Sequence, residues 1–282
     1  MSAGRIKIAL ARRDIPATRA ASAIALIAAA TLATSIGLVL SSGSGTADAE
    51  GQSQAPAPAR QAARLRPAIQ PSAAAGGLAA GPGSTELATV RTTAPRYAAP
   101  GRRAAGQVPA SWYARPSVLP VIATRPGWVE VRLAQRPDGS TAWLPAADVT
   151  LGRTPYRIVV NLGTTRLALY YDGQLVFSAP AGVGAPDDPT PTGEFFVAFD
   201  EPAPQPGAGY GPFVLVTSDH SRSISDWEGT GDAVIGIHGP LGEDAEIGTT
   251  GARISHGCVR LHDQALERLA VVPPGTPIDV IG

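Results

Sequence analysis

Most of the chain beyond residue 111 is a succession of short β-prone runs cut by glycine, proline and Asp-Gly pairs, and this punctuation constrains the fold more than any other feature. "YRIVVNL" (156–162), "TRLALYYDGQLVF" (165–177), "GEFFVAF" (193–199), "GPFVLVTS" (211–218) and "AVIGIHG" (233–239) read as successive strands, with Asp172-Gly173 as a hairpin turn. Upstream, "WVEVRL" (128–133) and "TAWLP" (141–145) flank "RPDGS", whose Asp138-Gly139 pair suits a tight hairpin. One helix is predicted over 263–270, "DQALERLA", with Asp263 as its cap and "PPG" (273–275) as its stop, before a last strand in "TPIDVIG". The expected fold class is mainly β: a sandwich or barrel with one short helix over 154–282, preceded by a small β-barrel over 111–153. About 125 residues is enough for one core in the larger part.

The N-terminal part has a different character. The first 19 residues carry Arg5, Lys7, Arg12, Arg13 and Arg19 against one acid, Asp14, and the next 21, "AASAIALIAAATLATSIGLVL", carry no charge. A basic flank before an apolar run predicts that the N-terminus stays in the cytoplasm and the remainder crosses the membrane. The run is long enough to span a bilayer, and "TADAE" offers an A-x-A-like cleavage site ending at Ala49. Residues 1–49 therefore read as a signal peptide or a membrane anchor, both readings open, and the protein as exported to the cell envelope. Residues 50–110, dominated by Ala, Pro, Gly, Gln and Arg, read as a disordered linker.

Beyond residue 49 the chain holds 18 basic and 21 acidic residues with no basic cluster, which argues against nucleic acid as a partner. It has a single cysteine, Cys258, so no internal disulfide can form and the fold must be held by its core. A lone thiol outside the cell is open to oxidation; it is either buried and inert or kept for its reactivity.

The neighbours of Cys258 bear on that choice. His238 ends the strand "AVIGIHG" 20 positions upstream, and a strand followed by a loop of that size can bring the two side chains together. An imidazole can take the proton of a thiol and raise the nucleophile's population, and its other nitrogen then needs an orienting acceptor. Gly239 and Gly257 permit close approach to a substrate, and the amides at 257 and 258 could point at one oxygen, as a tetrahedral acyl intermediate requires. His238, His256 and Cys258 are also zinc-type ligands, although their spacing is unlike the common ligand pairs, and a non-catalytic binding protein is the third reading. His220 and His262 read as surface residues, and Trp128, Trp143 and Trp227 as core or rim.

His238-Gly239, 15 residues, and then "SHGCVRL" from Ser255 resemble the signature of the L,D-transpeptidase (YkuD) catalytic domain, and the resemblance extends upstream through Thr190-Pro191-Thr192-Gly193 to cover about 156–282. The order Trp, turn, Trp before it resembles bacterial SH3-like modules, which suggests docking or spacing. The first resemblance implies Cys258 as nucleophile, His238 as base, and the Gly239 carbonyl as the acceptor that orients the imidazole. Ser255 is implied to fix the loop, while His256, Gly257 and Arg260 are implied to support the substrate or its oxyanion; Asp232 and Glu243 receive no role. The implied reaction is acyl transfer: Cys258 attacks a peptidoglycan tetrapeptide stem, D-alanine leaves, and an amine on a neighbouring stem opens the thioester. Water as acceptor would make the same site a carboxypeptidase. The resemblance implies no cofactor and no metal, and implies carbapenem-type inhibitors that acylate Cys258.

Overall fold

The computed structural model describes residues 83–203, 207–227 and 229–282, all within one compact unit. The expected signal or anchor, and residues 50–82 of the expected linker, lie outside the described residues. Among the described residues no helix is long and apolar enough to cross a membrane.

The first sheet is built from β1 (Thr85–Val90), β2 (Ala94–Tyr97), β3 (Ala104–Val108), β6 (Val118–Arg125), β7 (Trp128–Arg132), β8 (Thr141–Pro145) and β9 (Val149–Thr154). Between β3 and β6, the short β4 (Ser111–Trp112) and β5 (Arg115–Pro116) pair only with each other. The strand order is β3-β2-β8-β7-β6-β1-β9. This corrects the expected linker boundary at 110. Residues 85–108 are ordered strands, because Leu87, Ala88, Val90, Ala94 and Val108 bury apolar side chains along runs too short and too interrupted by Arg, Pro and Gly to show a clean alternation. The strands β7 and β8 flank the "RPDGS" turn as antiparallel partners, with Gly139 at φ +78°.

The second sheet uses β10 (Tyr156–Asn161), β11 (Arg166–Tyr171), β12 (Gln174–Pro180), β14 (Gly193–Pro202), β15 (Phe213–His220), β16 (Val234–His238), β18 (Val259–Arg260) and β19 (Pro277–Ile281), in the order β12-β11-β10-β19-β14-β15-β16-β18. A short side ladder joins β13 (Val183–Gly184) to β17 (Arg253–Ser255). Asp172 and Gly173 both have positive φ in the β11–β12 hairpin, as that turn requires. The helix α1 (Asp263–Glu267) is shorter than expected, and its N-cap is His262 with no side-chain capping bond; Asp263 is instead an acid in the first turn.

Both faces of the second sheet are covered, and the strands show why. Along β14, Phe195 and Val197 pack with α1's Leu266 and with Leu269, while Phe196 and Ala198 pack with Val129, Val131 and Leu144 of the first sheet. Along β15, Leu215 joins the helix side, and Val214 and Val216 the first sheet. A period of two thus divides one strand between two cores.

A polar seam flanks the shared core. Arg136, just before the 137–140 turn, donates from Nε to Asp232 Oδ1 (2.9 Å), from Nη1 to the Ser221 carbonyl (2.7 Å) and from Nη2 to the Ile224 carbonyl (3.0 Å). Asp138 Oδ1 accepts from the His220 amide (3.1 Å) and lies 3.2 Å from its Nδ1, while His220 Nε2 lies 3.2 Å from Asp232 Oδ2. His220 is 2% exposed. The expectation of a surface histidine is therefore corrected: carboxylates from both sheets satisfy its ring in the interior.

Candidate active site

Strands β16 and β18 run parallel, with Ile237 opposite Val259 and His238 opposite Arg260. That register sets Cys258 level with Gly236, and its Sγ accepts a hydrogen bond from the Gly236 amide at 3.4 Å. Val234, four residues before His238 on an unbroken strand, belongs to the core shared with the first sheet. By the alternation of side chains, His238, Arg260 and Cys258 stand on the face of the second sheet that the first sheet partly covers. The 19-residue connection between histidine and cysteine is what lets two parallel neighbours form from one chain.

His238 Nδ1 lies 2.8 Å from the Gly239 carbonyl. A carbonyl can only accept, so Nδ1 carries the proton and Nε2 keeps the lone pair of a base. Glycine is required at 239 because a Cβ there would lie 2.5 Å from the Gly211 nitrogen and 2.6 Å from the Tyr210 carbonyl carbon. The segment it admits is held by the Gly239 amide on the Tyr210 carbonyl (2.8 Å), and the Tyr210 ring stands edge-on to the imidazole, with centroids 5.3 Å apart.

The loop before Cys258 is braced from within. Ser255 Oγ donates to the Cys258 carbonyl (2.5 Å) and accepts from the Gly257 amide (3.2 Å). Thr190 Oγ1 donates to the Gly257 carbonyl (2.7 Å) and accepts from the Gly184 amide (2.8 Å). Thr190 opens the Thr-Pro-Thr-Gly stretch, which sequence resemblance singled out without giving it work; its work is to hold the loop before Cys258. The Gly257 amide, expected to face a substrate oxygen, is engaged by Ser255 instead.

Burial dominates the electrostatics. His238 is 1% and Cys258 2% exposed. Desolvation, helped by the Arg260 charge and opposed by the Gly239 carbonyl, lowers the imidazole from 6.5 to about 3. Desolvation raises the thiol to about 11, partly offset by the Gly236 amide and Arg260 and reinforced by Asp219. At neutral pH the pair is thus imidazole and thiol, not an ion pair. The imidazole alone does not raise the thiolate population in the closed structure, because both groups have lost their water.

Other predicted residues occupy distinct places. Arg260 is 4% exposed, pairs through Nη1 with Glu243, and among the described residues its buried Nε has no hydrogen-bond partner. His256 has its ring 5.7 Å from that of Trp227 and its Nε2 3.7 Å from Asp188 Oδ2. Asp219, missed by sequence reasoning, is 2% exposed and lines a cavity with Thr217, Ile235, Ile237 and Val259. Desolvation first, then the Asp138 charge, hold its carboxyl well above the usual carboxylate range. Among the described residues no three His, Cys, Asp or Glu side chains converge on a point that could hold a metal, so the zinc reading of His238, His256 and Cys258 is not supported.

A family model described as the L,D-transpeptidase catalytic domain (YkuD) matches residues 155–280. The putative L,D-transpeptidase YqjB of Bacillus subtilis is 30% identical over 148 residues, covering 49% of this chain and 77% of that protein. The putative L,D-transpeptidase YkuD of Bacillus licheniformis is 32% identical over 127 residues, covering 45% of this chain and 66% of that protein, so the chain spans just under two thirds of that relative's length. Among solved structures, the catalytic domain of an E. faecium L,D-transpeptidase matches with 23% identity, 45% of this chain, 96% of that chain and a TM-score of 0.30.

Proposed function

The chain belongs to the L,D-transpeptidase (YkuD) family, and on that premise we propose that it cross-links peptidoglycan stems through an acyl-enzyme on Cys258. The observation that carries this reading is the parallel β16–β18 register, which sets Cys258 beside Gly236 and two residues from His238 on one face, with the imidazole's Nδ1 tied to the Gly239 carbonyl.

The chemistry follows from those atoms. His238 Nε2 takes the thiol proton as Sγ attacks the carbonyl of the third residue of a tetrapeptide stem. The tetrahedral intermediate expels the amine of D-alanine, which receives that proton, and a thioester remains. The side-chain amine of a diamino acid on a second stem then attacks the thioester, His238 again accepts a proton, and Sγ leaves. The low proton affinity of His238 at rest makes it a weak base, so transfer is favoured only as charge develops at the carbonyl oxygen. Entry to the sulfur requires the cover over it to part; the Tyr210 segment, flanked by Gly209 and Gly211 at positive φ, is the part that touches His238. The substrate places this reaction outside the cytoplasm, in accord with the basic and apolar N-terminal segments.

Intact-mass spectrometry after incubation with a tetrapeptide stem, and separately with a carbapenem, tests the reading. The expected result is a covalent adduct on residue 258 that Cys258→Ser lacks and His238→Ala slows by at least about a hundredfold. A wild-type protein that forms neither adduct overturns it. Products formed with and without an acceptor amine separate cross-linking from carboxypeptidase action.

A further inference from the structure

The contacts of Arg136 point past the first sheet's own stability. A single guanidinium from that sheet engages three points of 221–232, the loop segment between β15 and β16: two backbone carbonyls, at Ser221 and Ile224, and the carboxylate of Asp232. Arginine's rigid planar fork is suited to fixing several acceptors at once. Asp232 is also the anchor of the turn that carries Trp227: the Trp227 amide donates to the Asp232 carbonyl (3.0 Å), and Thr230 Oγ1 bonds both the Trp227 (2.8 Å) and Asp232 (2.6 Å) carbonyls. Trp227 in turn stands against His256, two residues before the nucleophile. Both rings present a buried nitrogen, Trp227 Nε1 and His256 Nδ1, without a hydrogen-bond partner among the described residues. Buried polar atoms without a partner on a ring pair that starts two residues before Cys258 need one, and a peptide substrate supplies both donors and acceptors.

We propose that Arg136 is a positioning residue for substrate recognition: by clamping 221–232 from the first sheet it sets where Trp227 stands over His256, and so shapes the stem-peptide subsite beside Cys258. The first sheet is then a working part of the site and not a spacer. This rests on the acyl-transfer reading above for the identity of the peptide, though not for the existence of the clamp.

The test is a double-mutant cycle in the full chain with Arg136→Ala and Trp227→Phe, read as kcat and KM for a tetrapeptide stem. Each single variant raises KM by about tenfold with kcat changed by less than about threefold, and the double variant raises it no further than the larger single effect, because both act through one ring. Arg136→Lys, which keeps the charge without the fork, gives an intermediate KM and replaces Arg136→Ala in the cycle if the alanine variant does not fold. Arg132→Gln, which removes the Arg132–Glu194 ion pair away from this segment, keeps the wild-type KM. Effects of Arg136 and Trp227 that multiply, or an Arg136→Ala loss confined to thermal stability with KM unchanged, overturn the proposal. If the wild-type protein acylates with no stem peptide, the functional reading fails on its own, and the same cycle is run on the rate of Cys258 alkylation by iodoacetamide. Non-additive rates there keep the clamp, and additive ones discard it.

Discussion

Cys258 and His238 have both been driven to their neutral forms by loss of water, and this fixes how the site responds to pH. With the thiol at about 11, alkylation by a small probe should climb about tenfold per pH unit from 7 to 10 without a plateau, since each unit multiplies the thiolate fraction. A plateau reached near pH 6 to 7 in the rate profile would show an ion pair at rest and contradict the burial argument. Stability carries the complementary signature. His238's folded value, about 3, is depressed from 6.5, so its contribution is present above 6.5 and is lost as pH falls towards 3, where the unfolded chain binds a proton that the folded one refuses. Cys258's folded value is raised, so its contribution is present below the unfolded thiol's ordinary range and lost as pH rises through about 11. Urea titrations from pH 3 to 7 should therefore show a flatter acid limb for His238→Gln than for wild type. Asp219, whose carboxyl is pushed well above the usual carboxylate range by burial beside the apolar Ile235 and Val259 and by the Asp138 charge, is tested by Asp219→Asn, which keeps the shape and removes the ionisation. Its urea midpoint at pH 8 should equal or exceed wild type. The motif residues were legible because their chemistry is local in sequence. His220 and Asp219 were not, because the groups that bury and pair them, Asp138 and Asp232 among them, come from segments brought close only by folding.

At the scale of elements, the loop before Cys258 depends on a turn some 70 residues upstream. Thr190 is 3% exposed and its hydroxyl is bonded on both sides, to the Gly184 amide and the Gly257 carbonyl. Thr190→Val keeps the volume and orphans both partners, at about 1–3 kcal/mol each. A loss of about 2–4 kcal/mol in urea unfolding, with Cys258 acylation slowed more than stability alone accounts for, is the expected outcome; an unchanged acylation rate would show that the turn does not position the loop. Gly257 sets the same loop from the other side: its φ is +114°, and a Cβ there would fall 2.7 Å from Ile235 Cδ1. The strands themselves were readable wherever branched and aromatic residues run between Gly and Pro, as in β14 and β16. They were unreadable in β1 to β3, where Ala, Arg and Pro dilute the pattern and where pairing with β6, β8 and β9, not local preference, makes the strand. The helix was placed correctly at its start and overextended at its end, since Arg268–Val272 turn back through backbone bonds from Leu269 and Val272 without continuing α1.

For the whole molecule, the division into a spacer and an independent catalytic domain conflicts with the apolar surface between the two sheets. Phe196, Ala198, Phe199, Val214, Val216 and Val234 of the second sheet bury their side chains in the same cluster as Ala88, Leu119, Val129, Val131 and Leu144 of the first. Each large apolar side chain buried there is worth about 1.5–3 kcal/mol, and a typical domain is stable by only about 5–15 kcal/mol. Removing the first sheet exposes one full face of β14–β16 and releases Arg136 from 221–232 at the same stroke. A fragment spanning 154–282 should therefore aggregate or bind a hydrophobic dye without a cooperative melt, although it contains every motif residue. A fragment spanning 83–282 should melt cooperatively and acylate at Cys258, because it keeps both faces of the second sheet covered. Circular dichroism melts and dye binding on the two fragments decide the matter. A cooperative transition in 154–282 with wild-type acylation would mean that the shared core contributes little, and would return the first sheet to the role of a spacer.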